Sequence, residues 1–180
     1  LCVEIARDVL AQLRLQRYEA TPGTYVSVNS EPMWEMDYNE RDKKSFQEFF
    51  AETKKHTTCN VCALGAAFVS LVNLKNECSV GSMLNDGMDR ERLEAIFGGD
   101  NINLMESAFE CGVIDGSPSS KVDYFTLEAA GEWGVQYDNP DERMRAIMMN
   151  IARNNGDFKL PKKYVAIAKR YRTTADDEVG

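Results

Sequence analysis

The stretch from Cys59 to Leu74 is apolar, small or cysteine at nearly every position. A helix with this composition has no polar face to turn towards solvent, so the pattern predicts a helix that is buried on all sides. Gly65 lies inside it and would let a neighbouring backbone approach closely. We therefore expect a central helix over residues 59–74, on which the other helices pack.

Several other segments carry apolar residues on one helical face only, which is typical of helices that cover a core. The spacing and the capping residues predict such helices at 2–15, 45–55, 90–97, 101–111 and 140–155. The expected N-caps are Ser45, Asp89, Asp100 and either Asp138 or Asn139. The apolar residues of 122–137 fit both a helix and a strand, and the Pro22–Gly23 turn predicts a short extended segment near 24–28.

Together these elements predict a mainly α protein: a single-domain helical bundle of about six or seven helices around the buried central helix. The predicted domain spans residues 1–172, with a possible internal boundary at the DGSPSS segment, 115–120, and a frayed tail at 173–180. Residues 29–42 are polar with scattered aromatics and predict an irregular arm. The arm would either fold back on the body or meet a partner.

The composition of the chain argues against several classes of function. A net charge of −8 disfavours direct binding to nucleic acid, because phosphate contacts require lysine and arginine at the surface. The apolar runs are too short or too interrupted for a membrane span, and the acidic start of the chain does not resemble a secretory signal. Five cysteines, an odd number, argue against a disulfide framework and favour a reducing, cytoplasmic location. We expect no cofactor.

A cysteine cluster is the first candidate for chemistry. Cys59 and Cys62 form a C-x-x-C pair at the start of the predicted central helix, and His56, the single histidine, lies three residues earlier. With Cys78 these residues could form a Cys₃His zinc site, or the pair could act as a redox or nucleophilic centre. Against this, Cys78 would lie about 24 Å along the helix from Cys62 at 1.5 Å per residue. We expect the cysteines to be buried core residues.

Acidic residues dominate the middle of the chain. They can serve as helix caps and as a solvated helix face, or they can form a surface that competes for the nucleic-acid groove of another protein. The second interpretation assigns partner binding to Asp86, Asp89, Glu91, Glu94, Asp100, Glu106 and Glu110, together with Trp34 of the arm. The partner would then be a host protein with a basic surface.

Basic residues collect near the C-terminus, with six lysines or arginines between positions 159 and 172. Together with Tyr164 and Tyr171 they could contact nucleic acid. They could also pair with the acidic middle of the same chain. The charge of the whole chain favours the internal or protein-facing role.

The segments CNVCALGAAFVSLVNLKNE, FGGDNINLMESAFE and NPDERMRAIMMNIARNNGDF resemble small proteins of phages and prophage-bearing bacteria that have no assigned activity. The resemblance extends from the first helix to Phe158. It implies an effector or inhibitor that acts on host machinery through protein surfaces. The resulting hypothesis is a non-enzymatic protein-interaction module that inhibits a nucleic-acid-binding host defence system, in the manner of an anti-CRISPR protein or a DNA mimic. The alternatives are a cysteine- or zinc-dependent enzyme centred on His56, Cys59 and Cys62, and a nucleic-acid binder using residues 159–172.

Overall fold

The computed structural model describes residues 1–29, 48, 58–75 and 86–179. In this part of the chain, seven helices and three strands follow one another: α1 Cys2–Arg14, β1 Tyr18–Ala20, β2 Val26–Asn29, β3 Thr58–Val61, α2 Ala63–Lys75, α3 Asp86–Phe97, α4 Gly99–Glu110, α5 Tyr124–Val135, α6 Pro140–Arg153 and α7 Lys162–Val179. The prediction of a mainly helical protein is confirmed. The predicted helix at 45–55, apart from Glu48, and the predicted arm beyond residue 29 lie outside the described residues.

Helix α2 is the most deeply buried element, since every residue from Ala63 to Val72 is buried. Helices α1, α3 and α4 pack against it directly. The remaining helices form further layers, with α6 packed on α1 and α4, α5 on α4, and α7 on α5. The predicted buried central helix is therefore present, and within the described residues α1, α3 and α4 pack most extensively on it.

The predicted start of the central helix is wrong, because the chain forms strand β3 over Thr58–Val61 and the helix begins at Ala63. Cys59 and Val61 point into the core and their neighbours are half-buried, which is the alternation of a strand. The partner strands β1 and β2 supply the hydrogen bonds that allow this conformation, and they come from a distant part of the sequence. A uniformly apolar segment fits a buried strand as well as a buried helix.

The three strands form a mixed sheet in the order β1-β3-β2. Strand β1 is parallel to β3, and β2 is antiparallel to it. The extended segment expected near 24–28 is confirmed as β2, after a turn in which Gly23 has a φ of 72°. Asp141 of α6 accepts a hydrogen bond of 2.8 Å from the amide of Ala20, which ties the sheet to the helical layer.

Helices α1 and α6 are antiparallel neighbours. Near one end of the pair, the Arg145 side chain donates to the carbonyl of Leu13. Near the other end, Gly156 lies against the side chain of Cys2 so closely that a methyl group at position 156 would lie 2.9 Å from the Cys2 Cβ. This pairing brings the outer faces of the two helices side by side.

The predicted cap of α6 is confirmed, since the Asn139 side chain accepts from the amides of Asp141 and Glu142. The predicted cap at Asp89 is wrong, because α3 begins at Asp86 and Asp89 is buried within it. Asp100 lies in the first turn of α4, whose N-cap is Gly98.

The ambiguous segment 122–137 forms helix α5, and Asp123 caps it by accepting from the amide of Thr126. Helix α7 continues through residues 173–179, where a frayed tail was expected. The DGSPSS segment packs against the body: Ser117 is buried and its amide donates to the Asn103 side chain. One set of buried side chains includes residues on both sides of this segment.

Candidate functional site

The C-x-x-C pair lies at the junction of β3 and α2. The Cys59 side chain is fully buried, and Cys62 is 6% exposed immediately before the helix. The Cys62 Sγ accepts a hydrogen bond from the amide of Gly65 at 3.5 Å, as a thiol at a helix N-terminus can. The structure therefore places this pair in the core, as the sequence analysis expected.

Burial determines the protonation of both thiols. It raises the pKa of Cys59 to about 12. It also raises the pKa of Cys62, to about 11, although hydrogen bonds from the amides of Gly65 and Leu64 act in the opposite direction. Both residues are neutral thiols at pH 7, whereas a nucleophile or a zinc ligand must be a thiolate.

The proposed metal or enzyme site also includes residues beyond this cysteine pair. His56 and Cys78 are outside the described residues. Within the part of the chain that the structure describes, no group of three His, Cys, Asp or Glu side chains is arranged to hold a metal ion. Cys2 and Cys111 are half-buried, and burial also raises the pKa of each thiol.

Two of the predicted partner-binding carboxylates are engaged by Arg90 of α3. Its guanidinium contacts Glu94 at 3.1 Å and Glu106 at 2.8 Å, and it donates to the Asn103 side chain at 3.1 Å. The Asn103 side chain is fully buried and donates in turn to Asp115. Arg90 therefore holds α3, α4 and the following loop together.

Two further predicted carboxylates accept hydrogen bonds from loop amides. Asp100 accepts from the amide of Lys121 at 2.6 Å and from the Ser120 hydroxyl at 3.1 Å. Glu110 accepts from the amide of Gly23 at 2.9 Å. Burial raises the pKa of Glu110, although the Gly23 hydrogen bond opposes the shift.

The other predicted partner-binding residues differ in how far they are exposed to solvent. Glu91 is exposed on α3, whereas Asp89 is 4% exposed and points into the core. Asp86 begins helix α3, and Trp34 lies outside the described residues. Most of the described carboxylates of the predicted acidic surface therefore support the fold of the chain itself.

The basic C-terminal stretch is partly used in packing α7 against α5. Arg172 forms an ion pair with Asp123 at 2.7 Å, and the Tyr171 hydroxyl donates to Glu132. Although burial opposes the shift, hydrogen bonds from Arg172 and Thr126 lower the pKa of Asp123. Lys162, Lys163, Lys169 and Arg170 are exposed on the outer side of the helix.

Two adjoining surface cavities share residues of α6, and the sequence pattern does not predict them. The larger, of about 680 Å³, is lined by α6, the end of α5 and neighbouring loop residues. The smaller, of about 500 Å³, lies between α1 and α6. They share Arg145 and Met149 and form one surface feature, here called the arginine groove. It comprises Arg7, Leu10, Ala11, Arg14, Trp133, Tyr137, Glu142, Arg145, Ala146, Met149, Asn150, Arg153, Asn154 and Pro161.

The helical repeat accounts for the groove. On α1 the lining residues fall at positions 7, 10, 11 and 14, and on α6 they fall mainly at 142, 145, 146, 149, 150 and 153. Both sets follow the i, i+3, i+4, i+7 spacing of a single helix face. This face of each helix is turned away from the buried stripe that packs inwards.

The arginine groove combines positive charge with an apolar floor. Arg7, Arg14 and Arg153 are exposed, and Arg145 is half-buried with one hydrogen bond to the carbonyl of Leu13. None of these four guanidinium groups forms an ion pair with a carboxylate of the described residues. The floor contains Leu10, Ala11, Ala146 and Met149.

Trp133 anchors one end of the groove. It is only 4% exposed, and its ring makes edge contacts with Tyr137 and Phe158, whose ring centroids lie at 5.3 and 5.2 Å. The side chain of Asn150 bonds both the carbonyl and the amide of Lys159, which holds the loop before α7 beside the groove. The groove wall is therefore built from fixed elements.

The chain matches no protein-family model, and neither the curated proteins nor the solved structures provide a match. Among the described residues, no helix combines the length and the apolar character that crossing a membrane requires.

Proposed function

We propose that this protein is a non-enzymatic protein-interaction module and that the arginine groove is its binding face. The observation that carries the proposal is the set of four arginines without a carboxylate partner in the described residues, placed around an apolar floor on a chain of net charge −8. The groove holds four arginines against one carboxylate, Glu142, and this excess of positive charge gives a surface specificity and rapid association. The apolar floor supplies affinity when it is covered.

The apolar part of the groove supports a protein as the binding partner. Met149 is 38% exposed in the floor, where it lies beside the half-buried Leu10 and Ala11. Methionine and arginine are both enriched in protein interfaces relative to other surfaces. A flexible methionine also adapts to the shape of a partner's side chains.

The resemblance to phage-type proteins supports a host protein as the partner, and we retain inhibition of a host defence system as the proposed biological role. The groove changes the expected chemistry of that partner from basic to acidic. The DNA-mimic version has less support, because Glu94, Glu106, Asp100 and Glu110 all bind groups of the same chain.

The test compares two double variants of equal charge change. Arg7→Glu with Arg14→Glu reverses the exposed charges of the groove. Lys162→Glu with Lys169→Glu makes the same change on the outer side of α7, where both lysines are exposed. Each protein is used as bait in a bacterial host lysate, after circular dichroism has shown that it melts as the wild type does.

The expected result is a host protein that is retained by the wild type and by the α7 variant but not by the groove variant. Loss of the same protein from the α7 variant alone would instead favour the basic stretch at 159–172 as the binding face. A wild-type bait that retains nothing above the level of an unrelated acidic protein would count against an interaction module.

A further inference from the structure

We infer that the arginine groove accepts an acidic amphipathic helix of its partner, lying along the α1–α6 pair. This inference rests on the proposed function and specifies the chemistry of the partner at the same site. Three features of the groove support it: the spacing of its arginines, the position of its apolar floor, and the burial of Trp133.

The arginines are spaced in steps that a helix can match. Arg7 and Arg14 are seven residues apart, which is about 10.5 Å along α1, and Arg145 and Arg153 are eight residues apart, about 12 Å along α6. Carboxylates at i and i+7, or i and i+8, of a docked helix have the same separations. Each row of arginines can thus face one row of acidic side chains.

Apolar side chains line the same helix faces as these arginines. Leu10 and Ala11 come from α1, and Ala146 and Met149 come from α6. A ligand that fits both features carries an apolar stripe with carboxylates beside it, which is the pattern of an amphipathic helix laid in a groove. An extended peptide alternates its side chains between opposite faces and would turn half of them away.

The aromatic residues favour a protein ligand over a nucleic acid. Single-stranded nucleic acids are held by bases stacked on exposed aromatic rings. In the groove, Trp133 is 4% exposed and its ring already contacts Tyr137 and Phe158.

The direct test uses a synthetic probe. The peptide has about 18 residues, close to five helical turns, with leucine and alanine on one face, glutamate on both flanks, and a lactam bridge on the outer face that holds it helical. A scrambled peptide of the same composition lacks the apolar stripe, and a third peptide carries lysine in place of glutamate. Binding is measured by fluorescence anisotropy, with a single-stranded DNA oligonucleotide as a further probe.

The wild type is expected to bind the helical acidic peptide at least tenfold more tightly than either control peptide. Arg7→Glu with Arg14→Glu should weaken this binding at least tenfold, and Arg7→Gln with Arg14→Gln should weaken it by less. Lys162→Glu with Lys169→Glu should leave it unchanged. Raising the salt from about 50 to about 300 mM should weaken it, because exposed charges are screened over shorter distances.

Three outcomes would overturn the inference. Equal binding of the helical and scrambled acidic peptides would show a charge-only surface, and groove-dependent binding of the oligonucleotide without the peptide would show a polyanion site. Self-association that disappears in the groove variant would identify a second copy as the occupant. Failure of the peptide to bind, while capture of a host protein still depends on Arg7 and Arg14, would reject the acidic helix as the ligand but not the proposed interaction module. If neither the peptide nor a host protein binds, the proposed function is rejected as well.

Discussion

The Cα of Gly65 faces the backbone carbonyl of Tyr25, and a methyl group at position 65 would overlap that oxygen. This contact is where helix α2 meets the turn that leads into β2. Close by, the amide of Cys62 donates to the carbonyl of Thr24 at 2.6 Å. The first turn of the buried helix is therefore fixed to the sheet through backbone atoms, and only glycine leaves room for it.

Gly65→Ala is expected to destabilise the protein by about 3 kcal/mol, because a backbone carbonyl cannot move aside as a flexible side chain can. Urea unfolding followed by circular dichroism measures the change. Gly112→Ala is the matched control, since a methyl group there would meet no atom within 4 Å. Equal stability of the two variants would show that α2 does not meet the Tyr25 backbone in this way.

Burial along α2 gives a second prediction, because Phe68 is fully buried and Leu74, on the same helix, is 42% exposed. Phe68→Ala should cost about 3 to 5 kcal/mol, as large-to-small changes in a core do. Leu64→Ala, at 2% exposure, should cost about 2 to 5 kcal/mol. Leu74→Ala should stay within about 0.5 kcal/mol of the wild type. A Phe68→Ala protein as stable as Leu74→Ala would place the core elsewhere.

The sequence predicts the helical class well, because amphipathic spacing and caps are local properties. Helices α1 and α6 have near-regular apolar stripes, and the Asn139 cap followed by Pro140 is found where it was expected. Strand β3 was not predicted, because its identity depends on pairing with residues 18–20 and 26–29. The Tyr18 to Cys59 register joins segments about forty positions apart, which no local pattern contains.

The Arg90 cluster gives a third prediction. Arg90→Met should destabilise the protein by about 2 kcal/mol, because Glu94, Glu106 and Asn103 lose a charged hydrogen-bond donor that is partly shielded from solvent. Arg90→Lys should recover only part of this, since an ammonium group cannot reproduce the planar fork of a guanidinium. Denaturant unfolding measures both variants, with Lys169→Met as the exposed control. If the Arg90→Lys protein were as stable as the wild type, a positive charge at position 90 would be sufficient without the guanidinium geometry.

The candidate site was harder to predict than the fold. Arg7 and Arg14 read as the solvent side of an amphipathic helix, and this is correct for α1 taken alone. The groove exists because α6 lies antiparallel to α1 and adds Arg145 and Met149 to the same surface. The acidic residues gave a strong compositional signal, yet Glu94 and Glu106 both pair with a single arginine, Arg90, that the sequence does not single out.

The buried cysteines give a fourth prediction, on the pH dependence of stability. The pKa of Cys59 is about 12 in the folded chain and that of Cys62 is about 11, against 9.0 for an unperturbed thiol. Because the folded state holds these protons more tightly, their contribution to stability is complete below about pH 9 and is lost as the pH rises towards the folded-state values. At pH 10 each residue should have lowered the free energy of unfolding by about 1.4 kcal/mol relative to its value at pH 7.

The measurement is a series of urea unfolding curves between pH 7 and pH 10. The double variant Cys59→Ala with Cys62→Ala should start from a lower stability but lose less of it over this range, because the two buried groups that titrate are gone while the tyrosines and lysines are unchanged. In the native wild type both thiols should also resist a disulfide reagent at pH 8, and they should react once urea unfolds the chain. A pH dependence that is the same in both proteins, or rapid labelling of Cys62 in the native protein, would show that these thiols ionise as exposed thiols do. That result would support cysteine chemistry at the start of α2.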